Sequence, residues 1–88
     1  MIDRDTIKYN VKGYIMEEFL VGENPDSLGD STPLISGGVL DSIATIKLVT
    51  FLEEQYDVEF EAHEMSIDHL DNLPAIADTV ASKMEARR

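Results

Sequence analysis

The run Gly37-Gly38-Val39-Leu40-Asp41-Ser42-Ile43 sets a hydroxyl where flexible backbone turns into the start of a helix. Asp and Ser are preferred at helix N-caps, and on residue types alone a cap accounts for the pair. It does not account for the long connection that delivers a hydroxyl to that point. The free N–H groups and the dipole of a helix N-terminus favour a bound or attached phosphate, so Ser42 is suited to carry a phosphodiester. An esterase nucleophile needs a nearby base and usually a Gly-x-Ser-x-Gly elbow. Leu40-Asp41-Ser42-Ile43-Ala44 does not supply that elbow.

Other constellations carry less chemistry. His63 and His69 are six positions apart, which fits neither a helical ligand pair nor a third ligand nearby, and no metal site is expected from them. The acidic stretch from Glu53 to Glu64 has the charge of a calcium loop but lacks its Gly and its alternating Asp and Asn ligands, so a solvated face is expected. Gly37-Gly38 is not followed by Gly-Lys-Ser/Thr, which excludes a P-loop. The absence of cysteine excludes a disulfide framework, a thiolate metal site and a cysteine nucleophile, so any thiol chemistry must be imported.

The 88 residues predict a single domain, 1–88. A chain of this size buries only about 60–65% of its unfolded surface, so a thin core and no enclosed enzyme cleft are expected. With 43% hydrophobic residues, three Pro and five Gly, it is expected to be globular. Seven Lys and Arg against 18 Asp and Glu leave a formal charge of −11. That field repels nucleic-acid phosphates and anionic lipid, and it draws in basic protein surfaces with a salt-dependent encounter rate. The segment Met1-Ile2-Asp3-Arg4-Asp5 lacks the basic and apolar regions of a signal peptide, and no apolar run approaches the roughly 18 residues of a membrane span. A soluble, cytoplasmic, monomeric protein is expected.

Four helical segments must position the serine. Ile7, Val11, Tyr14, Ile15 and Phe19 recur at helical spacing after an Asp3 or Asp5 cap, and Gly22 and Pro25 end that helix. From Val21 to Asp41 a long loop rich in Gly, Ser, Asp and Pro carries Leu28, Leu34, Ile35, Val39 and Leu40 as pins to a core. Loops of that length are uncommon in compact domains and are often functional. A second helix from Ser42 to about Gln55, with Tyr56 just after it, has an apolar band wider than one core stripe needs. Ile43, Lys47, Thr50 and Glu54 share an edge predicted to face outward.

Asp57-Val58-Glu59-Phe60-Glu61 alternates like a strand but has no strand to pair with, so a loop is predicted. Glu64 to His69 forms a short turn or helix, with Met65, Ile67 and Leu70 available for packing. Asn72 or Asp71 caps the last helix, Pro74 lies in its first turn, and Leu73, Ile76, Ala77, Val80 and Met84 form its apolar face. Lys83, Arg87 and Arg88 complement the dipole at its end. The predicted fold is all-α: a small four-helix bundle of three main helices and one short helix, with a long loop between the first two.

Gly-Val-Leu-Asp-Ser-Ile, then an apolar helix ending Leu-Glu-Glu-Gln-Tyr, then Val-Glu-Phe, resembles the acyl carrier protein and peptidyl carrier protein family over nearly the whole chain. Leu48, Leu52, Glu53, Glu54, Tyr56 and Phe60 stand at matching offsets. The resemblance implies that a phosphopantetheinyl transferase moves 4′-phosphopantetheine from coenzyme A onto Ser42. It also implies that Asp41 serves in recognition by that transferase, and that the chain is not itself an enzyme. Ile43 stands where the family commonly has Leu, and Ala44, Thr45 and Lys47 stand where fatty-acid carriers place more acid. The Gly-Val-Leu-Asp-Ser form is closer to discrete aminoacyl carriers loaded by adenylating ligases and serving downstream acyl-accepting enzymes. Ile43, Ile46, Lys47 and Thr50 are the expected partner-binding surface. The alternatives are a carrier of fatty acid or polyketide synthesis, an acidic helical adaptor without a prosthetic group, and a serine hydrolase.

Overall fold

In the computed structural model, residues 3–86 are described, and among them the chain is all-helical. The expected reach of Arg87 and Arg88 to the end of the last helix lies outside the described residues. Helix α1 spans Arg4–Phe19. Asp3 is its N-cap and accepts a hydrogen bond from the Asp5 N–H. Ile7, Val11 and Ile15 are buried along one face, whereas Tyr14 and Phe19 are only partly covered. Leu20 closes the helix by donating its N–H to the Ile15 carbonyl, and Gly22, at φ +85°, turns the chain away.

The connection to the next helix is not plain loop. A single 3₁₀ turn, Pro25–Ser27, is capped by the Asn24 side chain at the Asp26 N–H. Asn-Pro-Asp-Ser is a turn sequence whose Pro presets the first helical φ. Leu28, Leu34 and Leu40 are buried as pins, while Ile35 and Val39 pack at the core's margin. Each buried leucine contributes about 1.5–3 kcal/mol. Lys8 adds a polar pin, holding Asp30 at 3.0 Å.

Helix α2, Ser42–Tyr56, buries Ala44, Thr45, Leu48, Val49, Leu52 and Tyr56. Tyr56 is thus its last residue. Asp57 follows in the left-handed conformation at φ 55° and returns its N–H to the Glu53 carbonyl. The alternating segment after it is a loop, as its lack of a pairing strand predicts. Val58 and Phe60 are buried, and the Glu53 carboxylate accepts the Phe60 N–H at 2.8 Å.

A 3₁₀ turn at Ala62–Glu64 and the four-residue helix α3, Ile67–Leu70, replace the single short segment expected there. Leu70 is fully buried, but Met65 and Ile67 stand in solvent. Those two are not core residues: Met65 closes the 3₁₀ turn ahead of α3, and α3 itself is so short that it turns only Leu70 inward. Helix α4, Leu73–Ala86, buries Leu73, Ile76, Ala77, Val80 and Ala81 and packs mainly on α1 and α3. Asn72 is its cap, accepting the Ala75 N–H. Arg4 reaches Asp78 across the α1–α4 seam at 2.6 Å. Lys83 bonds Glu64 at 2.5 Å and lies over the Phe60 ring, tying α4 to the turn before α3.

Two glycines test this packing in opposite directions. A Cβ at Gly13 on the exposed face of α1 meets nothing, whereas one at Gly37 runs into the Pro33 carbonyl oxygen. Gly13→Ala is expected to stabilise the chain by about 0.5–1 kcal/mol through helix propensity. Gly37→Ala is expected to destabilise it. Denaturant titration measures both; a stabilising Gly37→Ala would contradict the packing described for the loop.

Candidate functional site

Ser42 is the first residue of α2, and both it and Asp41 are exposed. Asp41 has extended backbone, and its Oδ1 accepts the Ala44 N–H at 2.8 Å. Its carbonyl accepts both the N–H and the Oγ1 hydroxyl of Thr45, at 2.9 and 2.8 Å. The Asp therefore caps the helix, while Thr45, largely buried, binds the first turn back onto that cap. The serine hydroxyl, one residue past the cap, is left facing solvent at the positive end of the helix.

An open groove of about 750 Å³ runs past Ser42. The end of the loop (Ile35, Leu40) and the start of α2 (Thr45, Ile46) form one side; Met65, Ser66, Ile67 and Asp68 form the other. The expected site residues are thus partly gathered. Asp41, Ser42 and Ile46 line the groove, whereas Ile43, Lys47 and Thr50 lie on the adjoining exposed edge of α2. Ile43 is 67% exposed and Ile46 59%. From Ser42 to Leu52 the helix has no acidic residue and one charged side chain, Lys47. In a chain of net charge −11 this surface is locally apolar and acid-poor.

Behind the outward edge, Tyr14 stacks on Phe51 with ring centroids 4.2 Å apart, and its hydroxyl donates to the Lys47 carbonyl. Burial, followed by the nearby Glu18 carboxylate, raises the Tyr14 phenol above its usual range. Helix α2 is thereby fixed from the side opposite the groove.

The residues that hold the loop beside Ser42 were not singled out by their spacing. The Asp71 carboxylate Oδ1 accepts the N–H groups of Ile35 and Ser36, both at 2.8 Å, and Oδ2 accepts the Ser36 hydroxyl at 2.7 Å. The Asp71 carbonyl accepts the Leu34 N–H, and the Leu34 carbonyl accepts the Leu40 N–H. Asp71 was a candidate cap for the last helix; Asn72 takes that role, leaving the Asp71 carboxylate for the loop. The local sequence could not separate these two roles, since Asp and Asn cap equally well.

His63 and His69 lie edge to face with ring centroids 6.2 Å apart. Among the described residues no group of three or more His, Asp or Glu is placed to hold a metal ion, and no helix is long and apolar enough to cross a membrane. No protein-family model matches the chain, and no curated protein matches it.

The Ser36 N–H, then the Ser36 hydroxyl, and with them the Ile35 N–H, hold the Asp71 carboxyl below the usual carboxylate range against an opposing effect of burial. Glu64 is lowered likewise, first by the Glu61 N–H and then by Lys83. A carboxyl whose folded pKa is lowered adds stability above its unfolded value, near about 4, and that stability is lost as pH falls through the folded value. Thermal stability is therefore expected to decline below about pH 4. Asp71→Asn should be less stable at neutral pH and show a shallower acid decline. Parallel pH profiles of wild type and Asp71→Asn would contradict the bonding described for Asp71.

Proposed function

We propose that the chain is a carrier protein that holds an acyl or aminoacyl group as a thioester on 4′-phosphopantetheine attached to Ser42. The observation that supports this most is an exposed serine hydroxyl at the first position of a capped helix, beside an open groove with exposed apolar walls. The family resemblance in Gly-Val-Leu-Asp-Ser-Ile and the absence of cysteine agree with it. A carrier without thiols of its own has no side chain competing for the cargo.

Ser42 suits the attachment step because its hydroxyl is exposed and its helix end favours phosphate. In that step Ser42 Oγ bonds to phosphorus as the diphosphate P–O bond of coenzyme A breaks. Adenosine 3′,5′-bisphosphate leaves, and the hydroxyl proton passes to a base on the transferase. Asp41, besides capping α2, stands beside the acceptor as an exposed carboxylate available to the transferase's metal-bound coenzyme A. Once attached, the arm supplies the thiol that forms the thioester.

Ile43 and Ile46, bordered by Lys47 and Thr50, give partner enzymes an apolar docking edge beside the attachment point. Its acid-poor character supports a discrete carrier loaded by an adenylating ligase with an amino acid or another small carboxylic acid, in preference to a carrier of fatty acid or polyketide synthesis. The same apolar edge also suits an adaptor that binds its partner with no prosthetic group.

Incubation with coenzyme A and a broad-specificity transferase, followed by intact mass, separates these readings. Wild type should gain one phosphopantetheine, and Ser42→Ala none while retaining its helicity, since Asp41 still caps α2. Asp41→Asn keeps a capping side chain and should slow modification far more than it lowers stability. Ile43→Asp should weaken loading of the modified carrier with little change in Tm. Modified Ser42→Ala would place attachment elsewhere, and an unmodified wild type would favour the adaptor.

A further inference from the structure

The groove beside Ser42 has walls from distant parts of the chain, and Asp71 touches the support of both. It follows directly on α3, whose Ile67 lines one wall, and precedes the Asn72 cap of α4. Its carboxylate holds Ile35 and Ser36, and Ile35 lines the other wall. Its carbonyl holds Leu34, whose own carbonyl holds Leu40, the residue before Asp41.

Between Ser36 and Leu40 the other restraints are local ones. Gly37 fits closely against Pro33, the N–H of Gly38, at φ +86°, closes a turn onto the carbonyl of Ile35 at 3.1 Å, Val39 packs at the core's margin, and Leu40 is buried. A segment with two adjacent glycines has little intrinsic preference for a single path. Where it delivers Asp41 and Ser42 therefore depends on how firmly its upstream end is held. That end is held by a carboxylate accepting three hydrogen bonds, which are stronger than neutral ones and are directional.

We infer that Asp71 is a positioning residue that locks the loop to the α3–α4 junction and so sets how Ser42 and its groove are presented to a group-transferring partner. The inference rests on the carrier function proposed above. It assigns Asp71 no contact with coenzyme A or cargo; the Asp71 carboxylate acts through Ile35 and Ser36 on the segment that leads to Leu40 and the Asp41 cap. The Ser36 hydroxyl is an accessory member of the lock, because it supplies one of the three bonds to the carboxylate and the backbone supplies the other two.

The test compares wild type with Asp71→Ala, Asp71→Asn and Ser36→Ala at a temperature where circular dichroism shows each to be folded. Amide hydrogen exchange and transferase kinetics are measured on the same samples. In Asp71→Ala the amides of Ile35 to Leu40 should exchange about tenfold faster or more, with those of Val11 and Val80 little changed. The transferase KM for the carrier should rise several-fold with kcat nearly unchanged. Asp71→Asn, which keeps an acceptor oxygen, should recover part of the loss, and Ser36→Ala should show a smaller effect of the same kind. Ser36→Ala keeps the test decisive should Asp71→Ala fail to fold. A fall in Tm with KM unchanged would overturn the positioning role and leave Asp71 as a structural bond. A wild type that accepts no phosphopantetheine would overturn the carrier function and this role together, whereas normal modification of wild type with an unchanged KM in the variants would overturn this role alone.

Discussion

Asp71 receives hydrogen bonds from Ile35 and Ser36, residues 36 and 35 positions earlier in the chain. Those N–H groups lie in a stretch with neither helix nor strand partners, and that of the half-buried Ile35 in particular needs an acceptor. One carboxylate accepts both N–H groups and a hydroxyl as well. The three loop leucines bring the segment against the core, but hydrophobic burial is not directional and fixes no path for the backbone. Direction comes from Asp71. Through it the loop path, the position of Leu40, the extended backbone of Asp41 and the direction in which α2 begins become one connected geometry.

The distribution of charge complements that geometry. Eighteen acids on a chain of this size give a strong repulsive field, yet none falls between Ser42 and Leu52. Over its first three turns the exposed side of α2 offers Ile43, Ile46 and Thr50 around a single lysine, and Glu54 follows only in the last turn. Long-range attraction of a basic surface and close apolar contact beside Ser42 can therefore be supplied by different surfaces of the same small fold. The proposed carrier function, in which several enzymes are met in turn, would gain from such a separation.

The three main helices were legible in the sequence because their apolar positions repeat at the helical period and their ends carry Asp3, Asp41 and Asn72. Leu28, Leu34 and Leu40 were legible as pins because large apolar residues are few in that polar stretch, although nothing local separated Leu34 and Leu40 from their neighbours Ile35 and Val39, which reach only the core's margin. Ser42 and Asp41 stood out by a local pattern. The role of Asp71 was not legible: its partners are far away in sequence, and at its own position Asp and Asn are equally good caps. The exposure of Met65 and Ile67 was not legible, because a 3₁₀ turn followed by a four-residue helix has no periodicity that shows which side faces inward. The Pro25–Ser27 turn was hidden for a related reason, since Asn-Pro-Asp-Ser fits an open loop as well as one turn of 3₁₀ helix.

The central claim concerns one oxygen atom, and the most direct test is the mass of the peptide that contains Ser42 in protein isolated from its native cell. Tandem mass spectrometry should find phosphopantetheine on the Ser42 hydroxyl, with a further mass on its thiol in part of the population that identifies the cargo. A folded, purified pool in which Ser42 is uniformly unmodified would contradict the account.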